Sequence, residues 1–331
     1  MPRDLEHGGP KRSRLAHRLL QNVALLLAAL ILAACIVVYS GIYYAQQQRL
    51  PGGFELTSTL NNTMPLVMAA VAQTIVVLTR GIDLSVGGVI DLTNALAAVN
   101  FQDSAGSMIG WTALILLVGA LCGLLNGLLV GLGRLQPILV TLATLSIFQG
   151  LAIRILPQPG GAIPPSYTAV LANGNYPFAL LYLLGIGLLW LVFRRTSLGI
   201  AIFAIGNDER AAEANGVRVI RTKILAYVLS GVFSAAAGLY LAATATAGDA
   251  TTGNSFTLAS IVAVVLGGVS LFGGRGSAVG AVLGALITTM IVNILFFAQI
   301  DPLYQSFYEG LFLVIAVLLA AAIGRYFKRR R

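Results

Sequence analysis

The sequence predicts an all-α polytopic membrane protein, a bundle of about ten transmembrane segments at the usual length per span. Three observations carry that expectation. Charged residues are only 10% of the 331-residue chain and apolar residues 57%, against about 25% charged in an average soluble domain. Apolar stretches recur at the roughly 20 residues needed to cross a ~30 Å hydrocarbon core. The basic residues fall in alternate gaps between those stretches, the pattern that sets membrane orientation. Mean hydropathy is +0.87, and no stretch is long enough for a separate soluble domain.

Candidate spans lie near 19–43, 61–79, 84–101, 110–132, 137–155, 177–193, 223–246, 256–272, 277–298 and 307–324. They divide the chain into an N-terminal tail (1–18), a membrane domain (19–325) and a basic C-terminal tail (326–331). Before the first span stand Lys11, Arg12, Arg14 and Arg18, and within it Leu32-Ala33-Ala34-Cys35 resembles a lipoprotein signal. The apolar run continues past Cys35 through Ile36, Val37, Val38 and Tyr39. A processing site hands over to a polar segment instead, so the reading is a first membrane helix. The third and eighth spans are short and rich in Gly, Ser, Thr and Asn. They are either full spans or half-helices, and half-helices must be buried against protein because lipid cannot satisfy free backbone groups.

Charge orders the segments. With the N-terminus inside, nineteen of the 21 basic residues are cytoplasmic, and only Arg49 and Arg154 fall outside. An even number of spans keeps both termini cytoplasmic. The net charge of +9 therefore reads as topogenic, and nucleic acid is excluded as a partner because its binding needs a continuous basic patch. Cys35 and Cys122 sit inside apolar runs as small hydrophobes, and His7 and His17 lie in the tail. No metal-ligand cluster results.

Two loops are long. The outer one, 154–176, holds Pro157, Pro159, Gly160, Gly161, Pro164 and Pro165, a composition that resists regular helix. The inner one, 194–222, is the most charged internal stretch. Asn207 or Asp208 can N-cap a short helix over 209–215, with Gly216 as its stop. Glu209 and Glu213 share a face of that helix, beside Arg210.

The tightest motif is Arg80-Gly81-Ile82-Asp83-Leu84-Ser85-Val86-Gly87-Gly88. Asp83 and Ser85 can cap the helix that follows, and Gly87 and Gly88 permit close helix approach, which makes a structural corner. Arg275-Gly276-Ser277-Ala278-Val279-Gly280 resembles it at another inner-face junction, which suggests an internal repeat of the kind common in transporters. The glycines ahead of it, Gly267, Gly268, Gly273 and Gly274, lack the Gly-Lys-Ser/Thr ending and preceding strand of a phosphate loop. They read as close-packing residues and an inner turn. No nucleotide site is visible, so an ATP motor, with its Mg, must be another polypeptide. Asp91 is an intramembrane carboxylate, which is costly and faces a cavity or a partner. It either hydrogen-bonds a hydroxylated solute along a pathway, with Asn94, Gln73 and Asn126 as candidate neighbours, or bonds internally to one of those three.

At these residues the chain resembles the ribose-type permease family of bacterial ATP-binding-cassette (ABC) importers. Its signature is matched by Gly81-Ile82-Asp83-Leu84-Ser85-Val86-Gly87. Its cytoplasmic motif is matched by Gly206 and Asn207 through Ala211, Ala212, Gly216 and Val217. A Gln-Pro element is matched by Gln136, Pro137, Thr141 and Leu142, and a late glycine motif from Ala263 to Gly276. The resemblance covers roughly 55–325 and implies a type II importer fold and alternating access. It implies a homodimer in the bacterial inner membrane, with a cytoplasmic ATP-binding subunit and a periplasmic solute-binding protein. It makes 206–217 the coupling segment, including Asp208, Glu209, Arg210 and Glu213. Two departures bear on the solute. Thr257-Leu258-Ala259-Ser260-Ile261 stands where the family has Glu-Leu-Asp-Ala-Ile, and Asp91 stands where an apolar or small residue is usual.

A secondary transporter would place titratable groups near the midplane, and here only Asp91 is available. A membrane enzyme would need paired acid–base or metal-binding groups at one depth, and none appears. A permease for a nucleoside or another small polar solute stays open beside the sugar reading.

Overall fold

The computed structural model describes residues 10–301 and scattered positions between 304 and 315. Most of the last candidate span, 307–324, lies outside the described residues, as do 1–9 and the tail 326–331. The helices are α1 (Pro10–Gln47), α2 (Gly53–Val77), α3 (Val86–Asn100), α4 (Ala105–Gly131), α5 (Pro137–Ile155), α6 (Pro165–Leu171), α7 (Phe178–Phe193), α8 (Ser197–Asn207), α9 (Glu209–Ala214), α10 (Val219–Ala245), α11 (Gly253–Leu266) and α12 (Ala278–Phe297). Every other candidate span coincides with one of them.

α1, α2, α4, α5, α10 and α12 are long and apolar enough to cross a membrane, and α7 and α8 form a pair bent by 76°. α3 and α11 have only 15 and 14 residues, about 22 Å at 1.5 Å per residue. Both are shorter than the hydrocarbon core; α3 is largely enclosed by neighbouring helices, whereas α11 is buried along one side only and leaves Leu258 exposed. α1 runs unbroken through Cys35. Arg49, at the end opposite most of the basic residues, pairs with Glu55 at 2.6 Å. Arg154 lies in the last turn of α5, where a cation complements the helix dipole.

The burial pattern is inverted relative to a water-soluble protein. Leu26, Leu30 and Val37 on α1, Leu121 and Leu125 on α4, and Leu181, Leu184 and Leu188 on α7 are exposed. Polar residues such as Thr63, Gln73 and Thr74 are buried on the central helix α2. Thr63 and Thr74 donate to the carbonyls of Thr59 and Ala70, at 2.6 and 2.7 Å, so these hydroxyls find partners on their own helix.

α4 and α10 form the closest helix pair. Gly119, Gly123 and Gly127 recur every fourth residue on α4 and lie directly on the backbone of Gly231, Tyr227 and Ile224 of α10. No Cβ fits at these points. With lipid on the outside, this contact is dispersion between backbones, the small-xxx-small mode of membrane helix packing.

Two expectations about loops need correction. The proline-rich stretch 154–176 contains a short helix, α6, which starts with Pro165 at its first position, where the missing N–H costs nothing. The stretch 194–222 contains α8 as well as α9. Thr196 caps α8 by accepting from the Gly199 amide at 3.1 Å, and the apolar run that follows was not read as a helix because it is short and lies among charges.

Candidate functional site

The site has two storeys. One is the basic end of the bundle, around α8 and α9. The other is a buried crossing of α3 and α11 above it.

At the basic end Asp208, not Asn207, caps α9. Its Oδ1 accepts the Ala211 amide at 3.0 Å. Gly216 ends the helix at φ +81, with Gly216 N donating to Glu213 O at 2.9 Å and Val217 N to Ala212 O at 3.0 Å. That is the paired bonding of a Schellman stop. Ala212 is buried with Ile205 and Val219, while Arg210, Ala211 and Glu213 are exposed. The shared acidic face of Glu209 and Glu213 is split. Glu209 is tied to Lys223 of α10 at 2.8 Å while still partly exposed, so it staples α9 to α10, and Glu213 lies exposed beside it. Glu213 borders a cavity of about 280 Å³ with Val217, Arg218, Val219, Ile220 and Arg221.

Asn207 turns back instead of capping forward, donating to Phe203 O at 2.8 Å and to Gly274 O at 3.4 Å. Gly274 N donates to Leu78 O at 3.1 Å. Gly273 and Gly274 have φ of +80 and +68, which only glycine adopts freely. Gly268 lies against Ala24, and Gly267 against Gly280, so the late glycines serve α1 and α12 packing as well as the turn.

The corner after α2 is a closed polar network. Asp83 Oδ1 accepts the Ser85 amide at 3.0 Å and its hydroxyl at 2.6 Å, and Oδ2 accepts the Ser230 hydroxyl at 2.8 Å. Asn126 donates to Ser85 Oγ at 2.7 Å, and Thr144 donates to Asn126 Oδ1 at 2.8 Å. Ser85 occupies the N-cap position of α3 without making a side-chain cap bond. Its hydroxyl serves the network instead. Asn126 therefore belongs to the corner, and its grouping with Asp91 is corrected. Gly81 sits beneath the Tyr227 hydroxyl, and Gly87 beneath Gly253 and Thr257 of α11.

Asp91 takes none of the partners foreseen for it. Its Oδ1 accepts the backbone amide of Gly253, the first residue of α11, at 2.6 Å. The carboxylate thus sits at the positive end of a second helix. Among the described residues Oδ2 has no hydrogen-bond partner, and neither do Thr257 Oγ1 or the side-chain amide of Gln73, all buried. Orphaned buried polar atoms are rare and call for a reason. Asn94, one turn along, accepts the Asp249 amide at 2.7 Å. Asp249 is held in turn by Thr251, whose hydroxyl donation keeps its carboxyl below the usual carboxylate range. Above this, Gly160 and Gly248 pair their backbones, and Ala162 N donates to Ala98 O at 3.1 Å. The proline-rich stretch therefore closes over the far end of α3.

Sequence reasoning missed Thr144 and Ser230, and it gave Arg80 no role beyond topogenic charge in the corner motif. The four-residue glycine spacing on α4 was visible and marks a close helix contact, without saying which helix makes it. Nothing local marked Ser230.

A helical bundle with an apolar outer surface, a capped short helix at its basic end and a polar crossing inside has the build expected of a membrane transport subunit. The family described as branched-chain amino acid transport system / permease component matches residues 55–320, and the chain belongs to it. The chain is 36% identical over 260 residues to the ribose import permease protein RbsC of Bacillus subtilis (strain 168), covering 76% of this chain and 80% of that one. It is 34% identical to the fructose import permease protein FrcC of Rhizobium meliloti, covering 90% and 84%. It is 32% identical to the autoinducer 2 import system permease protein LsrC of Yersinia pestis (strain Pestoides F), covering 87% and 81%. No solved structure matches the chain. The protein is the membrane-spanning permease subunit of an ABC importer, a transport component and not an enzyme. Such a permease works with a separate ATPase subunit and a solute-binding protein.

Proposed function

We propose that this permease moves a sugar or sugar-like solute from a periplasmic binding protein into the cytoplasm by alternating access. It works as a homodimer in a bacterial inner membrane, with both termini and the basic end in the cytoplasm. ATP and Mg bind the partner ATPase, which docks on α9. The observation that carries this reading is α9 itself. It is a short helix fixed at both ends by Asp208 and Gly216, stapled to α10 by Glu209, and exposed along Arg210, Ala211 and Glu213. A partner pressing on such an element moves the bundle, because the element has little slack of its own. The relatives named for ribose and fructose import support the solute class.

The test is uptake of ribose and fructose into proteoliposomes that hold the permease, its ATPase and its binding protein. ATP-dependent, ionophore-insensitive uptake is expected. Uptake indifferent to ATP and abolished by an ionophore would make the protein a secondary transporter, and uptake of nucleosides alone would move the solute class. Orientation has its own check. Reporter fusions after residues 105 and 165 are expected to report outside, and one after residue 210 inside. A cytoplasmic signal from the 154–176 stretch contradicts the arrangement.

A further inference from the structure

We infer that Arg80 is the positioning residue through which movement of the ATPase-docking segment reaches α3 and α11 together. This rests on the docking role proposed for α9.

α8 ends at Asn207, and Asp208 is extended (φ −159, ψ 112) before α9 begins. The last carbonyls of a helix lack partners within it. Arg80 supplies them from outside. Its Nε donates to Gly206 O at 2.9 Å and its Nη2 to Asn207 O at 2.6 Å. A guanidinium presents these donors in a fixed fork, at the negative end of the helix. Arg80 stands in the turn between α2 and α3 at φ +66, a conformation that disfavours any side chain but a short polar one. Glycine would suit that backbone better, so what arginine adds is the fork.

The second turn, between α11 and α12, is gripped at the same point. Gly274 N donates to Leu78 O, and the Asn207 side chain donates to Gly274 O. A Cβ at Gly206 would strike Leu78 O and Gly274 N, and one at Gly273 would strike the Arg80 side chain. Three chain segments thus meet without free space. Packing this tight shifts as a unit and does not deform locally. One turn leads into α3 and the other comes out of α11, the two helices that Asp91 joins through Gly253. Displacement of α8 and α9 therefore reaches both sides of that crossing at one junction, where Arg80 ties the end of α8 to the turn before α3 and Asn207 ties it to the turn after α11. The competing account is that Arg80 is only one more cytoplasmic positive charge, a role that lysine fills equally well.

The experiment uses the permease assembled with its ATPase and binding protein in proteoliposomes, and reads solute transported per ATP hydrolysed. In Arg80→Gln and Arg80→Gly that ratio is expected to fall about tenfold, within the range of single-site coupling energies. Assembly with the ATPase and basal hydrolysis are expected to persist. Arg80→Lys is expected to lie between these variants and the unmodified protein. Arg80→Gly relieves the backbone strain that Arg80→Gln keeps, so its thermal midpoint is expected to lie above that of Arg80→Gln while the transport ratio falls equally in both, a split that a merely structural role does not give. An unchanged ratio in the Gln and Gly variants, full activity in the Lys variant, or loss of ATPase binding in any of them overturns the inference. Ala211→Trp on the exposed face of α9, run in parallel, is expected to abolish ATPase binding. If it binds and transports normally, the docking site lies elsewhere and this inference falls with it. If it fails as expected while the Arg80 variants couple normally, only the role of Arg80 is wrong.

Discussion

Asp91→Leu is expected to cut solute uptake severely while leaving membrane insertion and ATPase binding intact. Leucine is close to aspartate in reach but cannot accept the Gly253 amide, which sits 2.6 Å from Oδ1 in the buried crossing. Leaving a buried donor unpaired costs about 1–3 kcal/mol, which corresponds to roughly 5- to 150-fold in an equilibrium between conformers. The start of α11 would lose its anchor on α3, and the free Oδ2 would no longer be available to a passing hydroxyl. Asp91→Asn separates these contributions, because it keeps an acceptor for Gly253 and replaces the second carboxyl oxygen with an amide nitrogen. Initial uptake rates in proteoliposomes, with size-exclusion profiles as the folding check, decide the matter. Wild-type kinetics in the leucine variant would remove Asp91 from the transport cycle.

Gly123→Leu is expected to abolish the assembled fold. The position lies on the backbone of Tyr227 and Val228 in α10, with no volume for a side chain. Overpacking a core usually costs about 1–3 kcal/mol, after neighbouring side chains adjust. Here the obstacle is main chain and cannot rotate away, so the cost exceeds that range. Gly110→Leu, on the same helix with nothing near its missing Cβ, is the control and is expected to be close to neutral. Yield of monodisperse protein in detergent and the thermal midpoint measure both. Equal behaviour of the two variants would show that the α4–α10 contact is not a main support of the bundle.

Much of this architecture was readable because membranes impose simple rules. Apolar length located the spans, and Gly216 and Asp208 announced the ends of α9 through backbone needs that few other residues meet. The composition of the third and eighth spans marked α3 and α11 as short, and left open whether they are full spans or half-helices. Other features depend on which helices become neighbours, and no local pattern encodes that. Asn126 was a candidate neighbour of Asp91, yet Ser85 and Thr144 occupy its side-chain amide. Asp91 was expected to meet a side chain and met the end of a helix. Glu209 and Glu213 shared a face as their spacing required, but Lys223, fourteen residues away, claimed one of them. Arg80 looked like one charge among many until the fold brought two carbonyls within its reach.

The glycine seam also sets an order of events during synthesis. α4 leaves the ribosome roughly a hundred residues ahead of α10, which at about 5–20 residues per second is an interval of many seconds. Throughout that interval Gly119, Gly123 and Gly127 have no helix to lie against, and the donor and acceptor of Asn126 still await Ser85 and Thr144. A bare glycine groove tolerates lipid well enough, because it leaves no polar group unbonded. Asn126 does not, and it must find water, an early neighbour such as α3 or α5, or the insertion machinery. The partners it finally takes all come from the 85–144 stretch, so its needs can be met before α10 exists. The groove is left as a preformed slot for α10, which follows it in the chain.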